Sequence, residues 1–373
     1  MPHLFEHFKL KSLTLRNRIV ASPMCMYSAS EGKIGAWHYA HLAQMAAGGA
    51  GLVCVEMTAA SPEGRLTWGD SGLWNDRQME ALKPAVDAIK AGGAIPGIQL
   101  GHAGRKASAN RPWEGDDQLP DDAEHGWPII APSPLAFGSK NLWKVPLEMS
   151  GADIVRVQGD FVAAARRARE AGFEYLELHF GHGMLAQGFF SPYSNHREDI
   201  YGGSFDNRAR FLVETVTAVR EVWPDKYPLS VRFGVIEYDG RDEETLVESI
   251  RLVKLFKAAG TDLLSVSIGF STLDANIPWG PAFMAPVTER VRRDTGLPVA
   301  IAWGMGTPEL ADHAIREGQA DLVKVGRALL ANPHWPYFAA AALGLERPSW
   351  LTLPAPYAHW LERYHPQTAV APV

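Results

Sequence analysis

The chain has 373 residues, 46% of them hydrophobic and 21% charged. That describes a globular chain with ample apolar material for a core, and the formal net charge of -6 without a dense Lys/Arg run gives nucleic acid no footing. The opening MPHLFEHFKLKSLTLRNRIV has no apolar signal core, no window is long and apolar enough to span a bilayer, and two cysteines, Cys25 and Cys54, are too few for a disulfide framework, so a reducing cytoplasm is expected.

Short runs, β-branched and apolar on both faces, predict strands at 19–22, 52–57, 95–100, 175–178, 229–233, 263–267, 298–302 and 322–325. Between them, helical patterns run over 38–47, 78–91, 152–171, 207–222, 243–259, 286–295 and 308–317, several closing at a glycine: Gly172, Gly260, Gly296, Gly318. Strand and helix alternating in this way predict one (β/α)8 TIM barrel as a single domain over 1–373. Two segments break the repeat. Residues 111–150, rich in Pro, Trp and Asp, read as a lid-like excursion after the third strand, whose acidic run from Asp116 to Glu124 forms a solvated face. The tail 347–373 is Pro-rich yet carries Trp350, Tyr357, Trp360 and Tyr364, which predicts an aromatic arm packed on its own barrel or on a neighbour's.

In a barrel the carboxyl ends of the strands face the substrate. The first strand ends in Ser22-Pro23-Met24-Cys25-Met26-Tyr27, and the third in Gln99 with His102 and Arg105 beyond. The fourth ends in His179 and His182, the fifth in Arg232, the seventh in Trp303-Gly304 and the eighth in Gly326-Arg327. No carboxylate pair faces this rim, which argues against a glycosidase. No lysine ends a strand in an apolar setting, which argues against a Schiff-base aldolase; Lys324, along the eighth strand, is the best candidate. The histidine pair lacks an acidic third ligand, so no metal is expected, although His102, His179 and His182 keep a metal-dependent hydrolase as a rival. Cys54, in an apolar run, reads as a small buried hydrophobe, whereas Cys25 lies just past a strand end. Loops after the seventh and eighth strands are the usual phosphate site of such barrels. A phosphate there, with a fixed cation and an amide further inward, suits FMN: Gln99 would meet the pyrimidine edge, and Arg232 would sit beside N1/O2.

The segments NRIVASPMCMY, GIQLGHAGRKASANRPWEG, LELHFGHG, YGGSFDNRARF, RFGVIEYDGRD, IPWGPAFM, VGRALLANPHW and PAPYAHWLERY together resemble the old yellow enzyme family, in particular its bacterial xenobiotic reductase-like subgroup. They run from the first strand to the tail. The resemblance implies a barrel with non-covalent FMN, reduced by NAD(P)H and reoxidised by activated alkenes, quinones or nitro compounds in ping-pong fashion. It assigns Pro23, Met24, Cys25, Met57, Gln99, Arg232, Trp303, Gly304, Gly326 and Arg327 to the flavin, with Cys25 tuning its potential. His179 and His182 would hold the acceptor's oxygen, Tyr27 joins the catalytic set, and Met184, Trp303 and Trp360 line the substrate cavity. It also implies a homodimer or tetramer in which the arm enters a neighbour's active site.

One position departs from the family's pattern. Where that pattern has a tyrosine as proton donor to the substrate α-carbon, this chain has Met184, and a thioether has no proton to give. The proton then has to come from water, Tyr27 or Tyr193. The same departure leaves an alternative reading, a catalytically weakened barrel that binds or senses FMN.

Overall fold

The computed structural model describes residues 3–364; the end of the expected arm, 365–373, lies outside the described residues. The chain opens with a short antiparallel hairpin, β1 (Phe8–Leu10) and β2 (Leu13–Leu15), which sequence reasoning passed over. The barrel strands follow as β3 (Ile19–Ala21), β4 (Leu52–Ala59) and β5 (Ile95–Gly101), with helices α1 (Ala36–Ala47) and α2 (Asp76–Ala91) between them. After β5 comes the excursion, held together by a two-residue parallel pair, β6 (Ile130–Ala131) and β7 (Leu147–Glu148). The barrel resumes with α3 (Gly151–Ala171), β8 (Tyr175–Phe180), α4 (Leu185–Phe190), α5 (Phe205–Val222) and β9 (Leu229–Ile236). Then come α6 (Asp242–Ala258), β10 (Leu263–Ile268), α7 (Ala285–Thr295), β11 (Val299–Ile301), α8 (Pro308–Arg316) and β12 (Leu322–Val325). Four short helices finish the described chain: α9 (Arg327–Ala331), α10 (Trp335–Ala342), α11 (Pro348–Thr352) and α12 (Ala355–Leu361).

Strands β3, β4, β5, β8, β9, β10, β11 and β12 pair in parallel in that order, and β12 returns to β3 to close an eight-stranded barrel. The expected (β/α)8 architecture is therefore the observed one. Local chemistry explains the boundaries. Asn75 accepts the Gln78 N–H while Gln78 Oε1 accepts from Asn75 N, so α2 starts two residues before its apolar pattern does. Ser150 and Asp153 do the same for α3, and Ser204 caps α5 ahead of the expected start. Gly172 follows α3 at φ 98°, a left-handed turn that an L side chain resists.

The two ends of the barrel are built differently. At the amino end, Leu10, Leu13 and Leu15 of the hairpin pack on Val20, Leu52, Cys54, Tyr175, Leu263, Ala300 and Leu322 and plug the opening. Each buried leucine contributes about 1.5–3 kcal/mol. Lys11 at the hairpin turn reaches Asp225 and Asp262, tying the plug to the wall. Cys54 is buried in this cluster, as expected of a small hydrophobe. At the carboxyl end the loops are long and polar. The excursion leaves the barrel at this end and is held by Lys144, which donates to Ser108 Oγ and the Trp127 carbonyl and pairs with Asp121.

Candidate active site

A cavity of 1070 Å³ opens at the carboxyl end of the barrel. Pro23, Met24 and Cys25 line it from the loop after β3, Met57 from β4, Gln99 from β5 and Arg232 from β9. Trp303 and Gly304 come from the loop after β11, and Gly326 and Arg327 follow β12. The structure thus brings all ten residues expected at a flavin around one hollow, together with Tyr27, His179, His182 and Met184. Its wall contains Arg232, Lys324 and Arg327 but, among the described residues, no Asp or Glu. A pocket for one small molecule is typically about 300–1,000 Å³, so the space suits a cofactor with a second molecule on top.

Arg232 is buried, and its Nε has no hydrogen-bond partner among the described residues. A buried guanidinium with an unmet donor marks a place for an anionic or acceptor group. Beside it, Gln99 donates its Nε2 to Glu177 Oε1 at 2.7 Å. A carboxylate only accepts, so the amide orientation is fixed and the Gln99 oxygen is left as an acceptor. Burial works against the Glu177 charge, but Lys324, Arg232 and the Gln99 amide outweigh it and hold the carboxyl below its ordinary range. On the far side, Gly304 sits at φ 68°, and a Cβ there would stand 2.5 Å from the Gly280 carbonyl; only glycine fits. Exposed Arg327 opens α9 beside it. These donors fit FMN: a phosphate against Arg327 and the backbone near Gly304 and Gly326, and the pyrimidine edge against Gln99 and Arg232.

His179 is paired in register with Arg232 on the neighbouring strand. Burial first, and then the charge of Arg232, hold both His179 and His182 well below the ordinary histidine value, so both rings are neutral. His182 Nε2 stands 2.8 Å from Ser267 Oγ, which also accepts the Trp303 indole N–H at 3.3 Å. Lys106 Nζ donates to the carbonyls of His182 and Phe270 at 2.8 and 2.9 Å and pins that turn. His182, Phe270, Trp303 and Tyr27 all take left-handed backbone conformations, with φ of 59°, 51°, 68° and 49°. Each costs about 1–3 kcal/mol and persists only where its surroundings enforce it.

The Cys25 loop is fastened from behind. A bulge in β4 falls between Val55 and Met57, at Glu56. The Glu56 carboxylate accepts the Met26 N–H and pairs with His38 of α1 at 2.9 Å. Burial, followed by the nearby Asp70 and Glu56 carboxylates, pushes the Cys25 thiol well above its ordinary value, so it meets the cavity as a neutral thiol.

Several sequence expectations change. Tyr193 does not reach the cavity: its hydroxyl bonds Asp239 in a separate polar hollow between α4 and α6. Tyr27 is the tyrosine among the described residues that lines the cavity, and burial and Cys25 push its hydroxyl up, so it keeps its proton. His102 lies apart from the histidine pair, its Nδ1 accepting from Gly104 N, and no cluster of three metal-ligating side chains occurs among the described residues. Lys324 donates to both Glu177 carboxylate oxygens, so its amine is engaged and not free to attack a carbonyl; burial lowers its pKa from the ordinary lysine value, and the Glu177 charge opposes that shift. Trp360 is 76% exposed on α12 and lies outside its own chain's cavity. Sequence reasoning missed Glu56, His38 and Ser267. It also gave no separate role to Trp279, which packs 5.6 Å from Trp303 and extends the aromatic wall above His182. The IPWGPAFM segment was the one available signal for it.

A model of the NADH:flavin oxidoreductase / NADH oxidase family matches residues 3–346. The chain is 41% identical over 345 residues to an NADPH dehydrogenase of Geobacillus thermodenitrificans, covering 92% of this chain and 95% of the relative. It is 40% identical to one of Listeria welshimeri, covering 92% and 96%. Among solved structures, morphinone reductase in complex with tetrahydroNAD superposes with a TM-score of 0.76 at 26% identity, over 93% of this chain and 92% of that one. The old yellow enzyme homologue from Zymomonas mobilis does so at 0.77 and 25%, over 96% and 99%.

Proposed function

The chain belongs to the NADH:flavin oxidoreductase / NADH oxidase family and is an FMN- and NADPH-using oxidoreductase, and from that premise we propose a ping-pong enzyme that favours quinone and nitro acceptors over enones. The observation that carries the reading is one cavity lined by Arg232, whose Nε has no partner among the described residues, by two neutral histidines and by Met184.

Bound FMN would supply hydride-transfer chemistry between NAD(P)H and the acceptor. The protein's own residues do the rest. Gln99 and Arg232 would hold the pyrimidine edge, and Arg327 would hold the phosphate. Nicotinamide and acceptor take turns in the space below the Trp303–Trp279 wall. Ser267, already accepting from Trp303, gives its own proton to His182 Nε2 and leaves Nδ1–H to donate into the cavity. His179 and His182 then bind the acceptor's oxygen and stabilise the negative charge that grows there as hydride arrives.

An enone needs a further proton on carbon, and Met184 has none. Tyr27 is the protonated hydroxyl in the cavity that serves instead, assisted by water. Quinones and nitro groups take their protons on oxygen, which water supplies quickly. Met184 also favours a second reading, the weakened flavin-binding barrel. Stopped-flow mixing separates the two: reduction by NADPH followed by rapid reoxidation with a quinone supports the enzyme, and flavin that NADPH leaves oxidised supports the binding module.

The excursion serves as a lid, and the arm joins subunits. Trp350, Tyr357 and Trp360 are large and exposed on α11 and α12, which favours a homodimer or tetramer with Trp360 or Arg363 entering the partner's cavity. A monomer at micromolar concentration by analytical ultracentrifugation would refute that assembly.

A further inference from the structure

The floor of the cavity carries an ion pair that flavin binding, as derived so far, leaves without a role. Lys324 on β12 and Glu177 on β8 are not on neighbouring strands; β3, β4 and β5 lie between them, so the pair crosses the barrel interior. Lys324 Nζ donates to the two Glu177 oxygens at 2.7 and 2.5 Å, and the two side chains are 1% and 0% exposed. Glu177 also accepts from the Gln99 amide and from the Tyr175 hydroxyl at 3.2 Å. Stability alone does not explain such a pair, since removing two charges from water costs about what their attraction returns. Apolar side chains fill the barrel one layer lower.

The charges explain it better. Arg232 and Lys324 bring two positive charges to the floor, and Glu177 brings one negative. Lys324 itself lines the cavity. The third N–H of its ammonium has no partner among the described residues. A surplus of one positive charge therefore faces the cofactor space from buried side chains, where solvent screening is weak.

We propose that Lys324 is a second cationic residue toward the flavin, acting with Arg232 to favour its reduced form, and that Glu177 is the positioning residue that holds Lys324 and turns the Gln99 oxygen toward the cavity. This rests on the FMN reading. Hydride from NAD(P)H carries two electrons and one proton, so the nucleotide leaves as NAD(P)⁺ and the cofactor gains one negative charge, which a cationic floor stabilises.

The test is the flavin midpoint potential and the affinity for sulfite, both measured on holoenzyme. Removing the lysine charge with Lys324→Met lowers the potential and weakens sulfite binding by roughly tenfold, equal to about 30 mV for a two-electron couple. Glu177→Gln moves both the other way. The Glu177→Gln/Lys324→Met double variant restores the net charge and returns both close to the parent. Should Lys324→Met fail to retain FMN, Lys324→Gln keeps a polar partner for Glu177 without the charge and carries the same expectation. If neither holds FMN, Glu177→Gln decides alone. Holoenzyme variants whose potential and sulfite affinity stay at the parent's values overturn the proposal. A parent protein that purifies without flavin absorbance would instead overturn the FMN reading.

Discussion

The same eight strands begin in hydrocarbon and end in hydrogen-bond donors. At the amino end Leu10, Leu13 and Leu15 seal the barrel with side chains that hold no polar group. At the carboxyl end the strands deliver histidines, an arginine with an unmet donor and four strained backbone turns. One end supplies stability, and the other spends part of it on holding groups where water alone would not leave them. The separation means that substitutions at the two ends have different signatures.

The largest expected effect is at the histidines. His179→Ala and His182→Ala each remove one neutral donor to the acceptor's oxygen and slow reoxidation by roughly tenfold to a thousandfold. Single-turnover stopped-flow measures this, and unchanged reoxidation in both variants would remove the oxygen-holding role. Because both rings are held well below the ordinary value of about 6.5, they stay neutral from there upward, and their contribution to the rate is flat with rising pH. The linkage sign follows: as pH falls through about 6.5 the unfolded chain binds protons that these buried rings refuse, so stability drops on the acid side. Thermal melts across that window read the drop.

Met184→Tyr is next. General-acid help on carbon typically contributes on the order of a hundredfold, so 2-cyclohexenone reduction speeds up toward that figure while quinone reduction barely changes. No gain on the enone would show that Tyr27 already suffices. Arg327→Ala removes a phosphate partner and raises the FMN dissociation constant by roughly tenfold or more, with the fold intact; full flavin occupancy after dialysis would contradict the phosphate assignment. The smallest effect on chemistry belongs to the opposite end. Leu15→Ala empties part of the plug and costs about 2–5 kcal/mol of stability, yet both half-reactions keep their rates. A change in either rate would mean that the two ends are coupled.

Much of this contrast was legible in the sequence. Buried parallel strands read as continuous apolar runs, and the residues at or just past the end of each run are rim residues almost by definition, which is why Gln99, His179, Arg232 and Gly326 could be named. The plug was not legible: its strands are three residues long, and Lys11 takes the left-handed turn at φ 52° where a glycine or asparagine would have announced it. Groups that act through a distant partner were equally silent. Glu56 matters because His38 and Met26 meet it, Ser267 because His182 does, and Lys324 because Glu177 lies across the barrel. None of those pairings leaves a spacing pattern. Tyr193 misled for the same reason, since only the fold shows Asp239 beside it.

The bulge at Glu56 changes the parity of β4. In an unbroken strand, Cys54 facing the barrel interior would require residue 56 to face inward and residue 57 outward. One inserted residue reverses the count, so Met57 shares the interior with Cys54 although they stand an odd number apart, and Glu56 is delivered to helix α1. Deleting Glu56 would restore plain alternation and leave Met57 facing the interior, while removing the carboxylate that fastens the Cys25 loop to α1. The extra residue thus gives the strand an anchor on its outer side without altering the wall it presents inside.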